Sequence, residues 1–228
     1  MEIVFLRHGE PAWSVGGISQ ANPNLTERGT EQARLAAQRL ASEDSPMLEI
    51  LVSPALRAQQ TATPLAEATQ VTPITVHDLT EIKRPDWDGV PEEKVMQIFS
   101  EARDRDPDQW WDGLDGGESF GDFHHRITTA MLDVLNQRGI TQDSRGRPHL
   151  WHVDSQAKRI VIVAHGGTNA VALGWLLGLE PTPWEWERFV LGHCSMARVR
   201  AIPLAGGHVF SLRTFNDVEH LPRHLRTR

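Results

Sequence analysis

Four apolar residues, Ile3, Val4, Phe5 and Leu6, run without a break into Arg7-His8-Gly9-Glu10. The run is too short for a helix and favours extended backbone, so it reads as a buried strand. The pattern returns twice. Glu49 to Val52 is a short strand closed by Ser53-Pro54, and Arg159 to Ala164 is a buried strand running into His165-Gly166-Gly167. Between these runs the period changes to that of a helix. Ala33, Ala36, Ala37 and Leu40 share one face of a helix that opens at Leu25-Thr26, with Thr26 as N-cap, and stops at Ser45-Pro46. Ser53 is expected to cap a second helix with Pro54 in its first position. That helix runs to about Ala68, with Arg57 in its first turn.

The remaining stretches are less regular. Glu10 to Asn24 reads as a loop, Ile74 to Val76 as a weak third strand, and His77 to Gly89 as a second loop. Pro91 to Arg103 is expected to be helical, and Asp104 to Gly117 an irregular, tryptophan-bearing excursion. A long helix is expected from Glu118 to Arg138, with Phe123, Ile127, Met131, Val134 and Leu135 inside. Gly139 to Lys158 has no period and reads as a polar insertion. A helix burying Val171, Trp175 and Leu176 then ends at Gly178, and strands follow at about Ser195–Pro203 and His208–Phe215, before a polar tail.

Strands alternating with helices imply a largely parallel sheet with right-handed crossovers, which binds ligands beyond the carboxyl ends of its strands. Arg7-His8, Arg57 and His165 all lie just past such ends. An arginine and a histidine closing one strand are commonly just solvated. Three segments converging on one edge, with two arginines and two histidines, make a pocket for a tetrahedral anion. A neutral imidazole can attack phosphorus if its other nitrogen has an acceptor, such as a nearby backbone carbonyl. Donors around the three oxygens of a transferring phosphoryl group supply most of the catalysis. Arg7, Arg57 and His165 suit that task, and Gly166-Gly167 open a helix N-terminus that favours anions. Glu81, in the loop after the third strand, is the candidate proton donor and later base. On pattern alone a solvated surface glutamate fits it equally well.

Composition narrows the partners. The 228 residues are 39% hydrophobic and 23% charged, ordinary for one soluble domain spanning 1–228 with the insertion at about 139–158. No apolar run approaches a bilayer span, and no basic and apolar leader precedes the first strand, so neither membrane nor export is expected. A lone cysteine suits a reducing cytoplasm. The net charge of −7 argues against nucleic acid. Oligomeric state is not legible, and no cofactor is expected.

Arg7-His8-Gly9-Glu10 resembles the arginine-histidine-glycine signature of the histidine phosphatase superfamily, the phosphoglycerate mutase-like proteins. The likeness continues through Leu25-Thr26 with Gly29 and Gln32-Ala33, then Ser53-Pro54-Ala55-Leu56-Arg57-Ala58 with Gln60-Thr61-Ala62. Leu79 and Glu81 with Trp87-Asp88-Gly89, Gly116-Gly117-Glu118-Ser119, Ala164-His165-Gly166-Gly167, and Asn216-Asp217 with His220-Leu221 complete it in order. The resemblance implies a three-layer α/β/α sandwich and a metal-independent phosphohistidine enzyme acting on a small phosphate ester. His8 would be its nucleophile, Arg7, Arg57 and His165 with Gly166 its phosphate pocket, and Glu81 its proton donor. Ser14 stands where the family often carries an asparagine that helps hold phosphate or substrate, and Ile18-Ser19 near a threonine-glycine pair. The Trp-Asp-Gly and the lack of tyrosine resemble the phosphatase branch more than the mutases.

Rival chemistries fit parts of the same chain. His193-Cys194 through Arg198-Val199-Arg200 matches the spacing of a cysteine-phosphatase loop, but no glycine follows the cysteine and the segment alternates as a strand. Cys194 is therefore expected to be a buried small residue. Metal-ligand spacings are missing, and His124-His125 is expected on a helix face. A mutase that returns the phosphoryl group to its substrate, or a non-catalytic protein that binds a phosphate ligand, would use the same basic cluster. Trp13, Trp87, Trp110, Trp111, Trp184 and Trp186 are candidate walls of the pocket mouth, with Trp87 and Trp110-Trp111 expected in a lid. Lys83 and Arg84 either contact a second anionic group or form a solvated charge pair.

Overall fold

Side chains alternate across a strand, so a strand buried on both faces needs helices on both. The computed structural model describes residues 1–43, 48–143, 149–154 and 159–228. In it β1 (Glu2–Arg7) sends Ile3 and Phe5 into one core and Val4 and Leu6 into another, all of them buried. A two-residue hairpin, β2 (Ser14–Val15) with β3 (Ile18–Ser19), interrupts the expected loop. It turns on Gly16-Gly17, both in the left-handed region that glycine tolerates.

Helix α1 (Glu27–Ala41) opens as its sequence implies, with the Gly29 N–H donating to the Thr26 hydroxyl at 2.9 Å. The expected stop at Ser45-Pro46 lies outside the described residues. Then follow β4 (Leu48–Val52), α2 (Leu56–Thr69), β5 (Ile74–Thr75), α3 (Glu92–Arg103) and α4 (Phe120–Asn136). Next come β6 (Ile140–Gln142), β7 (Trp151–Val153), β8 (Arg159–Ala164), α5 (Gly166–Leu176), β9 (Met196–Leu204) and β10 (Gly207–Asp217). Short β6 and β7 fall inside the polar 139–158 stretch, whose remaining residues are partly outside the described set.

The sheet order is β5-β4-β8-β1-β9-β10-β7-β6. Strands β5, β4, β8 and β1 are parallel, and the sheet continues antiparallel from β9 onward. Phe123, Ile127 and Met131 of α4, with Val171 and Leu173 of α5, cover one face; Ala33, Ala36 and Leu40 of α1, with Ala58 and Leu65 of α2, cover the other. The result is the three-layer α/β/α arrangement. The parallel half matters for function, because the carboxyl ends of β1, β4 and β8 lie side by side. There the His8 N–H donates to the Ala164 carbonyl at 2.9 Å and the Ser53 N–H to the Val163 carbonyl at 3.0 Å.

Just past β1 the chain crosses the start of α1 so closely that only glycine fits. A Cβ on Gly9 would stand 2.5 Å from the Gly29 carbonyl oxygen, a backbone atom that cannot swing away. Gly9→Ala is therefore expected to destabilise the protein by about 1–3 kcal/mol, as overpacking does, read from urea unfolding. An unchanged midpoint would show that β1 and α1 separate more easily than this contact implies.

Candidate active site

Arg7 and His8 end β1, Arg57 lies in the first turn of α2, and His165 immediately precedes α5. The four meet. His8 and His165 have ring centroids 5.1 Å apart, edge to face. Both rings and Arg57 are buried.

The hydrogen bonds fix which nitrogens carry protons. Guanidinium nitrogens only donate, so each histidine nitrogen facing one must be an acceptor. Arg57 Nε donates to His8 Nε2 at 3.2 Å, and the other ring nitrogen, Nδ1, lies 2.8 Å from the Gly9 carbonyl. His8 is thus the Nδ1–H tautomer, its Nε2 lone pair free of a proton. Arg57 Nη2 donates to His165 Nδ1 at 3.1 Å, so His165 Nε2 carries its proton and donates to the Ser53 hydroxyl at 2.8 Å. That contact corrects the expected capping role of Ser53. Helix α2 begins at Leu56 with Ala55 as N-cap and no side-chain cap. A buried serine hydroxyl needs a polar partner; the imidazole lies nearest, at 2.8 Å, and the Ala55 N–H donates to it at 3.4 Å.

Arg7 is held from behind by a third histidine. Its Nη1 donates to the Leu191 carbonyl at 2.5 Å and its Nη2 to His193 Nε2 at 3.1 Å. His193 Nδ1 in turn donates to the Thr227 hydroxyl at 2.8 Å. The loop carrying Leu191 and His193 is pinned by the Gly192 N–H donating to the Asn216 side-chain oxygen at 2.8 Å. Arg7 Nε is buried and has no hydrogen-bond partner among the described residues, the signature of a donor meant for a ligand.

Glu81 belongs to the same hollow. The α5 N-terminus holds it: the Gly167 N–H donates to Oε2 at 2.9 Å and the Thr168 N–H to Oε1 at 3.1 Å. Its charge is felt by Arg7, Arg57 and Arg84. The loop behind it is tied down by Arg126, which donates to the Asp78, Thr80 and Glu81 carbonyls and pairs with half-buried Glu118 at 2.6 Å. Gly166 packs beside Arg7 Nε, where a Cβ would lie 3.7 Å away.

One expected residue stands differently, and Cys194 is buried as expected. Ser14 pairs with Ser19 in the β2–β3 hairpin, and among the described residues its side chain makes no hydrogen bond to the cluster. Its neighbour Trp13 meets the site instead, with the Arg57 guanidinium 4.7 Å from its ring centroid. Cys194 is buried, its thiol pushed up by that burial, and its backbone N–H donates to the Arg7 and His8 carbonyls. Among the tryptophans, Trp87 is buried against Phe99, and Trp186 lies against Phe120 and Phe123. Trp110 and Trp184 line a separate cavity of about 330 Å³ with Arg103 and Glu187. His124 and His125 lie on α4. His193 joins the site without having been expected there, since its place beside Arg7 has no local signal beyond the pairing His193-Cys194.

Burial, then His165 and the charges of Arg57 and Arg7, hold His8 well below the ordinary histidine range; burial and the same arginines do so for His165. His193 is pushed down to about 3 by burial and Arg7. Burial also lowers Arg57, to about 10. The unfolded chain takes up protons near the ordinary histidine pKa of about 6.5 while the folded one does not. The stability these rings contribute is therefore intact above that pH and is lost as pH falls towards the folded values. The unfolding free energy should fall from pH 7 to pH 5, and His193→Gln should flatten its slope below about pH 6 by close to one proton, about 1.4 kcal/mol per pH unit. A level profile in the unmodified protein would contradict the buried neutral rings.

Comparison with known proteins agrees with this fold. The sequence model of the histidine phosphatase superfamily (branch 1) matches residues 3–217. Glucosyl-3-phosphoglycerate phosphatase of Mycolicibacterium vanbaalenii is 31% identical over 209 residues, covering 90% of this chain and 84% of that one. A probable phosphoglycerate mutase, GpmB, of Yersinia enterocolitica is 27% identical, covering 97% and 95%. Among solved structures, the mycobacterial glucosyl-3-phosphoglycerate phosphatase Rv2419c in complex with VO3 superposes with a TM-score of 0.70 at 26% identity, covering 94% of this chain and 98% of that one. With arginine, histidine and glutamate brought to one hollow on a matching fold, the chain belongs to the histidine phosphatase superfamily.

Proposed function

We propose that this chain hydrolyses small phosphomonoesters through a phosphohistidine formed on His8. The observation that carries the reading is the tautomer of that ring. Nδ1–H is committed to the Gly9 carbonyl, and Nε2 is an unprotonated acceptor among donors. Such a ring is an in-line nucleophile that needs no separate base. Arg57 Nε places one N–H at the attacking nitrogen, and the unpartnered Arg7 Nε supplies another donor. Charge spreading over the phosphoryl oxygens meets donors already in place.

Two steps complete the cycle. His8 Nε2 bonds to phosphorus as the ester P–O bond breaks, and Glu81 gives its proton to the departing oxygen. Water then attacks the phosphohistidine, Glu81 takes a proton from it, and phosphate leaves with His8 Nε2 restored. The GpmB relative keeps the mutase reading in play; the two differ in whether phosphate reaches water or returns to the substrate. The phosphatase-named relatives and neighbours support hydrolysis, as does the family membership.

With p-nitrophenyl phosphate, His8→Ala should lower turnover by about 10³-fold or more while Cys194→Ser keeps it. Quenching the unmodified enzyme with 32P-labelled substrate should leave an acid-labile label on the peptide containing His8. Label on another residue, or turnover surviving in His8→Ala, would overturn the reading. Release of free phosphate from 3-phosphoglycerate without isomer formation is the outcome expected of a hydrolase.

A further inference from the structure

Arg84 lies three residues beyond Glu81, in the loop that leads to α3. Its guanidinium carbon is 4.3 Å from the Trp13 ring centroid and 5.7 Å from that of Trp87. Arg57 contacts the same Trp13 ring at 4.7 Å, so the two guanidinium carbons lie within about 9 Å of each other. Arg84 is half-buried where Arg57 is buried, which places it one step outward from the ring of His8. Its charge is nonetheless felt at Arg57 and at His165.

Arg84 is not the solvated partner of Lys83. Lys83 is exposed, and Arg84 is held by two indole faces, a stable seat for a guanidinium. Among the described residues no carboxylate lies within ion-pair distance of it; Glu81 acts on it only at longer range and is bonded to the α5 N-terminus. The proposed reaction makes this charge conspicuous. In that reaction three guanidinium groups, those of Arg7, Arg57 and Arg84, face a phosphomonoester carrying two negative charges. Of the three, Arg84 is the one with no hydrogen bond to a histidine among the described residues.

We propose that Arg84, seated on Trp13 and Trp87, is a second anion subsite that selects phosphomonoesters bearing another negative group, a carboxylate or a further phosphate, a short carbon chain from the ester. The inference rests on the phosphatase reading for its choice of substrates. A guanidinium meets either group with two parallel N–H donors. Trp13 then serves both subsites at once, since it holds Arg57 and Arg84 alike.

Non-hydrolysable phosphonates test this without turnover. Calorimetric titration of the whole protein with 3-phosphonopropionate, propane-1,3-bisphosphonate and propylphosphonate compares a carboxylate, a second phosphonate and neither on one carbon chain. The unmodified protein should prefer at least one doubly anionic ligand over propylphosphonate by about tenfold or more, the measure of a charge-assisted hydrogen-bonded pair. The preferred one names the second group. Arg84→Gln should collapse that ratio towards one, and Arg84→Lys, which keeps the charge without the planar donors, should retain part of it. Equal affinities in the unmodified protein, or a ratio that survives Arg84→Gln, would overturn the proposal. Should Arg84→Gln fail to fold, the ratio in Arg84→Lys and in the unmodified protein still decides it. Phosphohistidine trapping on His8 reports separately, so failure of the hydrolase reading is distinguishable from failure of this subsite.

Discussion

The bond from His8 Nδ1–H to the Gly9 carbonyl is the constraint on which the site depends. It spends one nitrogen on the backbone and leaves the other bare, between guanidinium groups that repel any proton arriving there. Burial strengthens the effect, because an imidazolium here would be both desolvated and surrounded by positive charge. Much of the nearby structure keeps that geometry. Gly9 must lack a Cβ to pass Gly29, and its own N–H donates to the Thr61 hydroxyl at 3.0 Å. Thr61 donates to the Arg57 carbonyl at 2.7 Å, so one α2 turn ties together the Gly9 N–H and the backbone of the arginine facing His8.

Concentrated positive charge on an acidic chain has to be held apart by structure. Arg7 is gripped by the Leu191 carbonyl and His193, Arg57 by two imidazoles and the Trp13 face, and Glu81 by the first amides of α5. Each grip comes from a different element. Their common address is the carboxyl edge of β4, β8 and β1, where a parallel sheet leaves a crevice. The antiparallel strands from β9 onward serve a different end: the turn before β9 delivers His193, and the Cys194 N–H ties it to the backbone of Arg7 and His8.

How far the sequence foretells this depends on how local each signal is. Strand-then-basic-residue patterns at Arg7-His8 and His165, and Arg57 in the first turn of a helix, are local, and the structure brings those residues together. Thr26 capping α1 is local too. Ser53 misleads, because a serine before proline suits a helix cap as well as a strand end, and only the neighbouring strand shows that His165 claims its hydroxyl. His193 is silent in the sequence since its role depends on Arg7, far away along the chain. Arg84 resembles an ordinary charged loop residue until the fold sets Trp13, from beside the distant β2 hairpin, beneath it. The strands β6 and β7 are three residues each, too short for any period to announce them.

The central claim is a protonation state, and nitrogen magnetic resonance of imidazole-labelled protein measures it most directly. Assigned through the His8→Ala difference spectrum, His8 should be neutral, protonated at Nδ1 and bare at Nε2, from pH 7.5 down past pH 6. An imidazolium at pH 7, or a neutral ring with its proton on Nε2, would contradict the account.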